Sequence, residues 1–147
     1  MSPSEVKIRP ADELDLDSII AIDEKLSGQY RPDIWERRLT YYLRRDPGGS
    51  LVAESGGQVV GFMLGEVRSG EFGQDDTTGW IEVVGVDPEH RGHSVGRRLG
   101  EAALSYFQSQ GARKVRTLVE ESRGDLNRFF ASLGFVPSSL RPFERAF

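Results

Sequence analysis

The chain has 147 residues, a formal net charge of −4, and 37% hydrophobic and 29% charged residues, which suits a single globular domain and gives no general attraction to nucleic acid or to a membrane. It has no cysteine and two histidines, which excludes disulfides, thiolate nucleophiles and cysteine metal sites and points away from metal catalysis. No apolar run is long enough to span a bilayer, and the N-terminal MSPSEVKIRPADELD lacks a signal-peptide core, so a cytoplasmic protein is the expectation.

Glu5 to Arg9 alternates polar and apolar residues and predicts a short edge strand ending at Pro10. Asp12 is an N-cap candidate for a helix carrying Leu16, Ile19, Ile20, Ile22 and Leu26 to Gly28. A second helix begins after Pro32, carries Trp35, Leu39, Tyr42 and Leu43 on one side, and stops at Asp46-Pro47-Gly48-Gly49. Ser50 to Glu54 and Gln58 to Gly65 read as a hairpin around Ser55-Gly56-Gly57, its second strand able to reach Arg68. Ser69 to Gly79 reads as a polar loop, Trp80 to Val86 as a strand, and Ser94 to Gln110 as an amphipathic helix with Gly111 as its C-terminal cap. Lys114 to Val119 is a further strand, and Asp125 to Leu133 a short helix closed by Gly134. Phe135 and Val136 start a strand, and Pro142 to Phe147 form another. The result is a single α/β domain, mixed α+β, with about seven strands and about four helices and without repeats or linkers.

The stretch from Trp80 to Leu99 carries the chemistry. Arg91-Gly92-His93-Ser94-Val95-Gly96 leads from a strand into a helix start, where unpaired backbone N–H groups and the positive end of the helix dipole suit a phosphate. Gly92 and Gly96 permit close backbone approach, Ser94 is an N-cap residue whose hydroxyl suits a phosphate oxygen, and Arg91, Arg97 and Arg98 add charge. Turns of this kind also occur with nothing bound. The dinucleotide and P-loop patterns do not fit, since neither G-x-G-x-x-G nor Gly-Lys-Ser/Thr is present.

Arg91-x-x-Ser94-x-Gly96, preceded by Val84-Gly85-Val86-Asp87-Pro88, resembles motif A of the GNAT superfamily of N-acetyltransferases, Arg/Gln-x-x-Gly-x-Gly/Ala, with serine in place of the first glycine. Phe129-Phe130-Ala131-Ser132-Leu133-Gly134-Phe135 is similar to the second landmark of that family, aromatic-Tyr-x-x-Leu-Gly-Phe, and the element order also agrees. The resemblance implies a splayed, mostly antiparallel sheet and acetyl-coenzyme A as co-substrate, with no metal. The pyrophosphate would lie on the amides of His93, Ser94, Val95, Gly96 and Arg97, beside Arg91 and Gly92. The pantetheine arm would pair with Val84-Gly85-Val86, and the backbone N–H of Val84 would polarise the thioester carbonyl.

Glu82 is the candidate base that takes a proton from the acceptor ammonium; strand alternation places it on one face with Val84 and Val86, half-buried. The plainer readings of Glu82 are a salt bridge or an exposed strand face. Where the family carries its proton-donating tyrosine this chain has Phe130, and where it often has a pantetheine-contacting asparagine this chain has Arg123, with Asn127 one turn on. Tyr30 is a conceivable substitute donor, and Tyr30 and Trp80 are candidate acceptor contacts. His90 and His93 face solvent or phosphate. Asp75, Asp76, Asp23 and Glu24 read as solvated residues, or as charges near the mouth that draw in a cationic amine. The function expected is direct acetyl transfer to an amine of a small molecule or peptide; the alternative is an acyl-CoA-binding module with little catalysis. Dimers are common in the family.

Overall fold

The computed structural model describes residues 5–74, 76–92 and 94–147. Nine elements run in the order β1 (Lys7–Pro10), α1 (Leu16–Ser27), α2 (Pro32–Arg45), β2 (Leu51–Ser55), β3 (Gln58–Ser69), β4 (Thr77–Val86), α3 (Val95–Ser109), β5 (Lys114–Thr117) and α4 (Gly124–Ser132). They build one mixed sheet of order β1-β2-β3-β4-β5, antiparallel except for the parallel β4–β5 pair that α3 connects.

Local chemistry sets the boundaries. Asp12 caps a short 3-10 turn, Glu13–Asp15, rather than α1 itself: its carboxylate accepts the Leu14 amide at 2.8 Å while Asp15 accepts the Asp12 amide, and Asp15, at the N-cap of α1, gives that helix no side-chain capping bond. Gly28 ends α1 at φ 75°, Pro32 opens α2, and Gly56-Gly57, both with positive φ, close the β2–β3 hairpin.

Helices cover both faces of the sheet. Leu51, Ala53, Met63 and Ile81 pack under α3 with Leu99, Ala103 and Phe107, joined by Phe130 of α4, whereas Val52, Phe62 and Leu64 meet α1 and α2 through Ile19, Ile22, Trp35 and Leu39. The alternation along β2 and β3 thus feeds two separate cores. Phe107 lies so close to β4 that a side chain at Gly79 would stand 2.5 Å from its ring.

Two expectations change. The β3–β4 loop is shorter than Ser69 to Gly79, because β3 runs to Ser69 and β4 starts at Thr77. The described residues hold five strands rather than about seven: residues 133–147 form none, so β5 is left as an edge. The Phe135 amide is used in closing α4 onto the Phe130 carbonyl, and Pro137 and Pro142 have no N–H to give to a ladder.

Candidate active site

β4 and β5 pair only from Thr78↔Lys114 to Ile81↔Thr117, where the Thr117 hydroxyl donates to the Ile81 carbonyl at 2.8 Å. Beyond Ile81, β4 stays on β3 to Val86 but, among the described residues, has no strand paired on its other edge. The Asp87 amide donates to the Val60 carbonyl on the β3 side, so by the two-residue period of a strand the N–H groups of Val86 and Val84 point to the open edge. The splay expected after β4 is therefore present, with Val84 and Val86 amides available in it.

This open edge runs into a cleft of about 520 Å³. Its walls are Val84, Gly85 and Val86 of β4, His90, Arg91, Gly92 and Ser94 of the turn, Val95, Gly96 and Arg97 at the start of α3, Leu26 of α1, and Arg123, Asp125, Leu126, Phe129 and Ser132 around α4. The first amides of α3 have no partner within the helix, since its first such bond is Arg98 N–H to the Ser94 carbonyl. An anion is thus met by N–H groups and the helix dipole. Arg91 and Arg123 stand on opposite walls, Arg123 paired with Asp125 at 2.9 Å and Arg97 with Glu101 at 2.9 Å. Arg98 points away and donates to the Val6 carbonyl of the β1 edge, so it adds no charge here.

Ser94 differs from expectation. Its φ of 61° is left-handed, and its side chain makes no capping hydrogen bond to α3. The serine thus sits in the backbone geometry that glycine adopts without strain. Gly85 has a packing reason: a β-carbon there would stand 2.6 Å from the Phe62 ring. His93 and Asp75 lie outside the described residues.

Glu82 is displaced from its expected face. Leu64 pairs with Val83 and Gly65 with Ile81, leaving Glu82 as the extra residue of a β-bulge. Glu82 faces the buried Tyr42 of α2, and Val83 packs on the α1/α2 core, whereas Val84 and Val86 pack on the α3 core. The bulge turns two successive residues to one face, so Glu82 does not share a face with Val84 and Val86. It is also exposed rather than half-buried, and among the described residues no lysine or arginine lies within ion-pair distance of it. Burial, then the Glu82 and Glu66 carboxylates, push the Tyr42 hydroxyl well above its usual pKa, so it stays a proton-bearing neighbour of Glu82.

On α4, Phe130 is 6% exposed and packs edge-on against Phe129 and Phe135, at 5.0 and 5.2 Å between centroids. It belongs to the core and not to the cleft wall. Asn127 donates to the Glu120 and Arg123 carbonyls, which holds the entry to α4 and keeps its amide out of the cleft. Leu26, which the sequence places in the apolar stripe of the first helix, is part of the apolar wall together with Phe129 and Leu126, a residue the sequence reading did not single out. Tyr30 is exposed on the α1–α2 connection and does not line this cleft.

The acidic residues divide in the same way. Asp23 is buried and held by Arg31 at 2.6 Å, so it ties the α1–α2 connection rather than facing an incoming cation; Asp76 pairs with Lys114 at 3.5 Å. Asp87 is 2% exposed, accepts from Lys25 at 2.9 Å and from the Glu89 amide at 3.0 Å, and so joins the end of α1 to the phosphate turn. Burial pushes its carboxyl up, but these bonds outweigh it and hold the pKa below the usual carboxylate value.

A parallel crossover thus leads from a bulged, half-open strand into a helix start with unpaired amides, and the two meet in one cleft at the edge of a split sheet. The chain belongs to the acetyltransferase (GNAT) family, whose sequence profile it matches over residues 16–135. It is 41% identical over 91 residues to mycothiol acetyltransferase of Thermobispora bispora, a match covering 62% of this chain and 31% of that protein. The chain thus matches about a third of the length of such relatives. An N-acetyltransferase of Archaeoglobus fulgidus without assigned function is 28% identical over 133 residues, 86% of this chain and 90% of that one. Among solved structures, an aminoglycoside N-acetyltransferase in complex with CoA is similar with a TM-score of 0.81 at 18% identity, covering 97% of this chain and 95% of that chain. Ard1 of Thermoplasma volcanium has a TM-score of 0.77 at 26% identity, covering 91% and 84%. No helix of the described residues is long and apolar enough to cross a membrane.

Proposed function

We propose that this chain is an N-acetyltransferase that moves the acetyl group of acetyl-CoA directly to a primary amine of a small molecule or peptide. The observation that carries the reading is the continuity of the open Val84–Val86 edge with the unpaired amides of α3 in one cleft. The residues fit the group: the α3 amides and Arg91 and Arg123 receive a pyrophosphate, the open edge receives an amide-bearing arm as an added strand, and Phe129 and Leu126 cover its apolar parts. The acetyltransferase relatives and the CoA held by a similar fold support the same reading.

The thioester supplies an activated acyl carbon. The Val84 N–H donates to its carbonyl oxygen as charge builds there. Glu82, on the α2 side of the same edge, takes a proton from the ammonium; the freed amine forms the C–N bond as the C–S bond breaks, the nitrogen gives its second proton to solvent, and the thiolate takes a proton from another hydroxyl or from solvent, since Phe130 has none. With no cysteine to carry the acyl group, transfer is direct. The open β5 edge and the exposed Phe143 and Phe147 support a homodimer through that end.

The test is thiol release from acetyl-CoA across a panel of amines. Glu82→Gln is expected to lower kcat/KM at neutral pH by about a hundredfold while leaving acetyl-CoA affinity intact. Unchanged kcat/KM removes Glu82 as base. The second reading, a CoA-binding module with little turnover, is favoured by the absence of a hydroxyl at Phe130: it expects tight acetyl-CoA binding in calorimetry and no thiol release from the native chain with any amine of the panel.

A further inference from the structure

The β3–β4 loop holds the least economical backbone of the described chain. Phe72 has φ 54° and ψ 34°, a left-handed conformation unfavourable for an aromatic residue, and it leaves 63% of its surface in solvent. Neither choice serves the core. The loop is nevertheless fixed in place. Glu71 accepts the indole N–H of Trp80 and lies 3.4 Å from Arg68, whose guanidinium stacks 5.0 Å over the Trp80 ring and donates to Glu66 at 2.7 Å. Glu66, 1% exposed, also accepts from Tyr41 at 3.1 Å and faces Arg45 at 3.5 Å. A buried carboxylate thus anchors an arginine that anchors the loop.

What this anchoring presents is a pair of rings beside the base. Phe72 and Trp80 have centroids 6.1 Å apart and are tilted by 58°, and the exposed surface of Phe72 leaves an aromatic face and edge free to meet a third ring. Trp80 lies two residues before Glu82 on the same strand face, about 7 Å along the strand. We infer that Phe72 and Trp80 form an acceptor subsite for a flat apolar group carried near the amine, with the ammonium at Glu82: the acceptor class is an arylalkylamine. A two-carbon link between ring and nitrogen spans a comparable distance. The inference rests on the acetyl-transfer reading with Glu82 at the reacting amine.

The experiment compares phenethylamine with propylamine as acceptors for the full chain and for Phe72→Ala and Phe72→Gly, at saturating acetyl-CoA. A calorimetric titration of each amine into CoA-saturated protein runs in parallel. The native chain is expected to favour phenethylamine about tenfold in kcat/KM, and both variants to lose that preference with propylamine and the acetyl-CoA KM unchanged. Phe72→Gly relieves the left-handed strain, so its Tm is expected to equal or exceed that of the native chain; a residue serving only to pack on Trp80 would lower it. Equal effects on both amines, or no native preference, overturn the subsite. If transfer proceeds without discrimination, the subsite fails and the transfer reading stands. If no amine is acetylated but the titration still discriminates in a Phe72-dependent way, the transfer reading fails and the subsite stands.

Discussion

At position 94 the backbone stands at φ 61°, where a serine β-carbon crowds the following carbonyl at a cost of roughly 1 kcal/mol. The hydroxyl gains no capping bond to α3 in return. Ser94→Gly is therefore expected to raise the Tm by about 2 °C for a domain of this size, read by thermal unfolding. A lower Tm would show that the turn does not hold Ser94 left-handed. Glu82 shows the opposite relation between residue and chain: its type is plain in the sequence, but its direction depends on pairing between Leu64, Gly65 and the residues opposite them. Alternation alone places Glu82 with Val84, and one inserted residue reverses that. Phe72 escaped notice because it lies among glycines and acids in a segment that reads as solvated loop. The available signal was a large apolar residue between Gly70 and Gly73.

Between elements, the joint that matters is α1 to the phosphate turn. Asp87 gives its carboxylate to the Glu89 amide and to Lys25, which fixes the start of the turn that ends at α3. Asp87→Asn leaves the lysine able to reach solvent and Glu89, and is expected to cost about 1 kcal/mol in urea unfolding. Lys25→Met is expected to destabilise more, because it strands a buried carboxylate. Both should raise the KM for acetyl-CoA more than that for the amine. Equal effects on the two KM values would mean that the joint supports the fold without shaping the turn.

For the whole molecule, three buried aspartates tie separate segments: Asp15 with Arg9 at 2.7 Å, Asp23 with Arg31, and Asp87 with Lys25. In each, burial pushes the carboxyl up and the charged hydrogen bonds outweigh it, so the folded pKa lies below the ordinary value of 3.8. A folded pKa below the unfolded one stabilises the protein fully above the unfolded value, and the gain is lost as pH falls from about 3.8 toward the folded values. Stability in urea is expected to be flat with respect to these groups at neutral pH and to drop below pH 4. Replacing Asp15 with Asn should flatten that acid slope. An unchanged slope would place the acid sensitivity elsewhere.

Sequence alone determined the apolar stripes of the helices, their positions to within a few residues, and the small-residue turn that leads into α3. Those follow from short-range rules: apolar period, Pro32 and Gly28 at helix ends, and small residues where backbone approaches closely. It overreached at residues 133–147, where strand propensity was present but two prolines and the closing bond of α4 left no ladder to join. Only the tertiary structure decided which face Glu82 takes, that β5 releases β4 after Ile81, that Phe130 belongs to the core while Phe129 lines the cleft, and that a buried glutamate holds Phe72 beside Trp80. These depend on partners brought in from other elements, such as Leu64 opposite Val83 and Tyr41 against Glu66, or on where two strands stop pairing, and the local pattern of a segment contains neither.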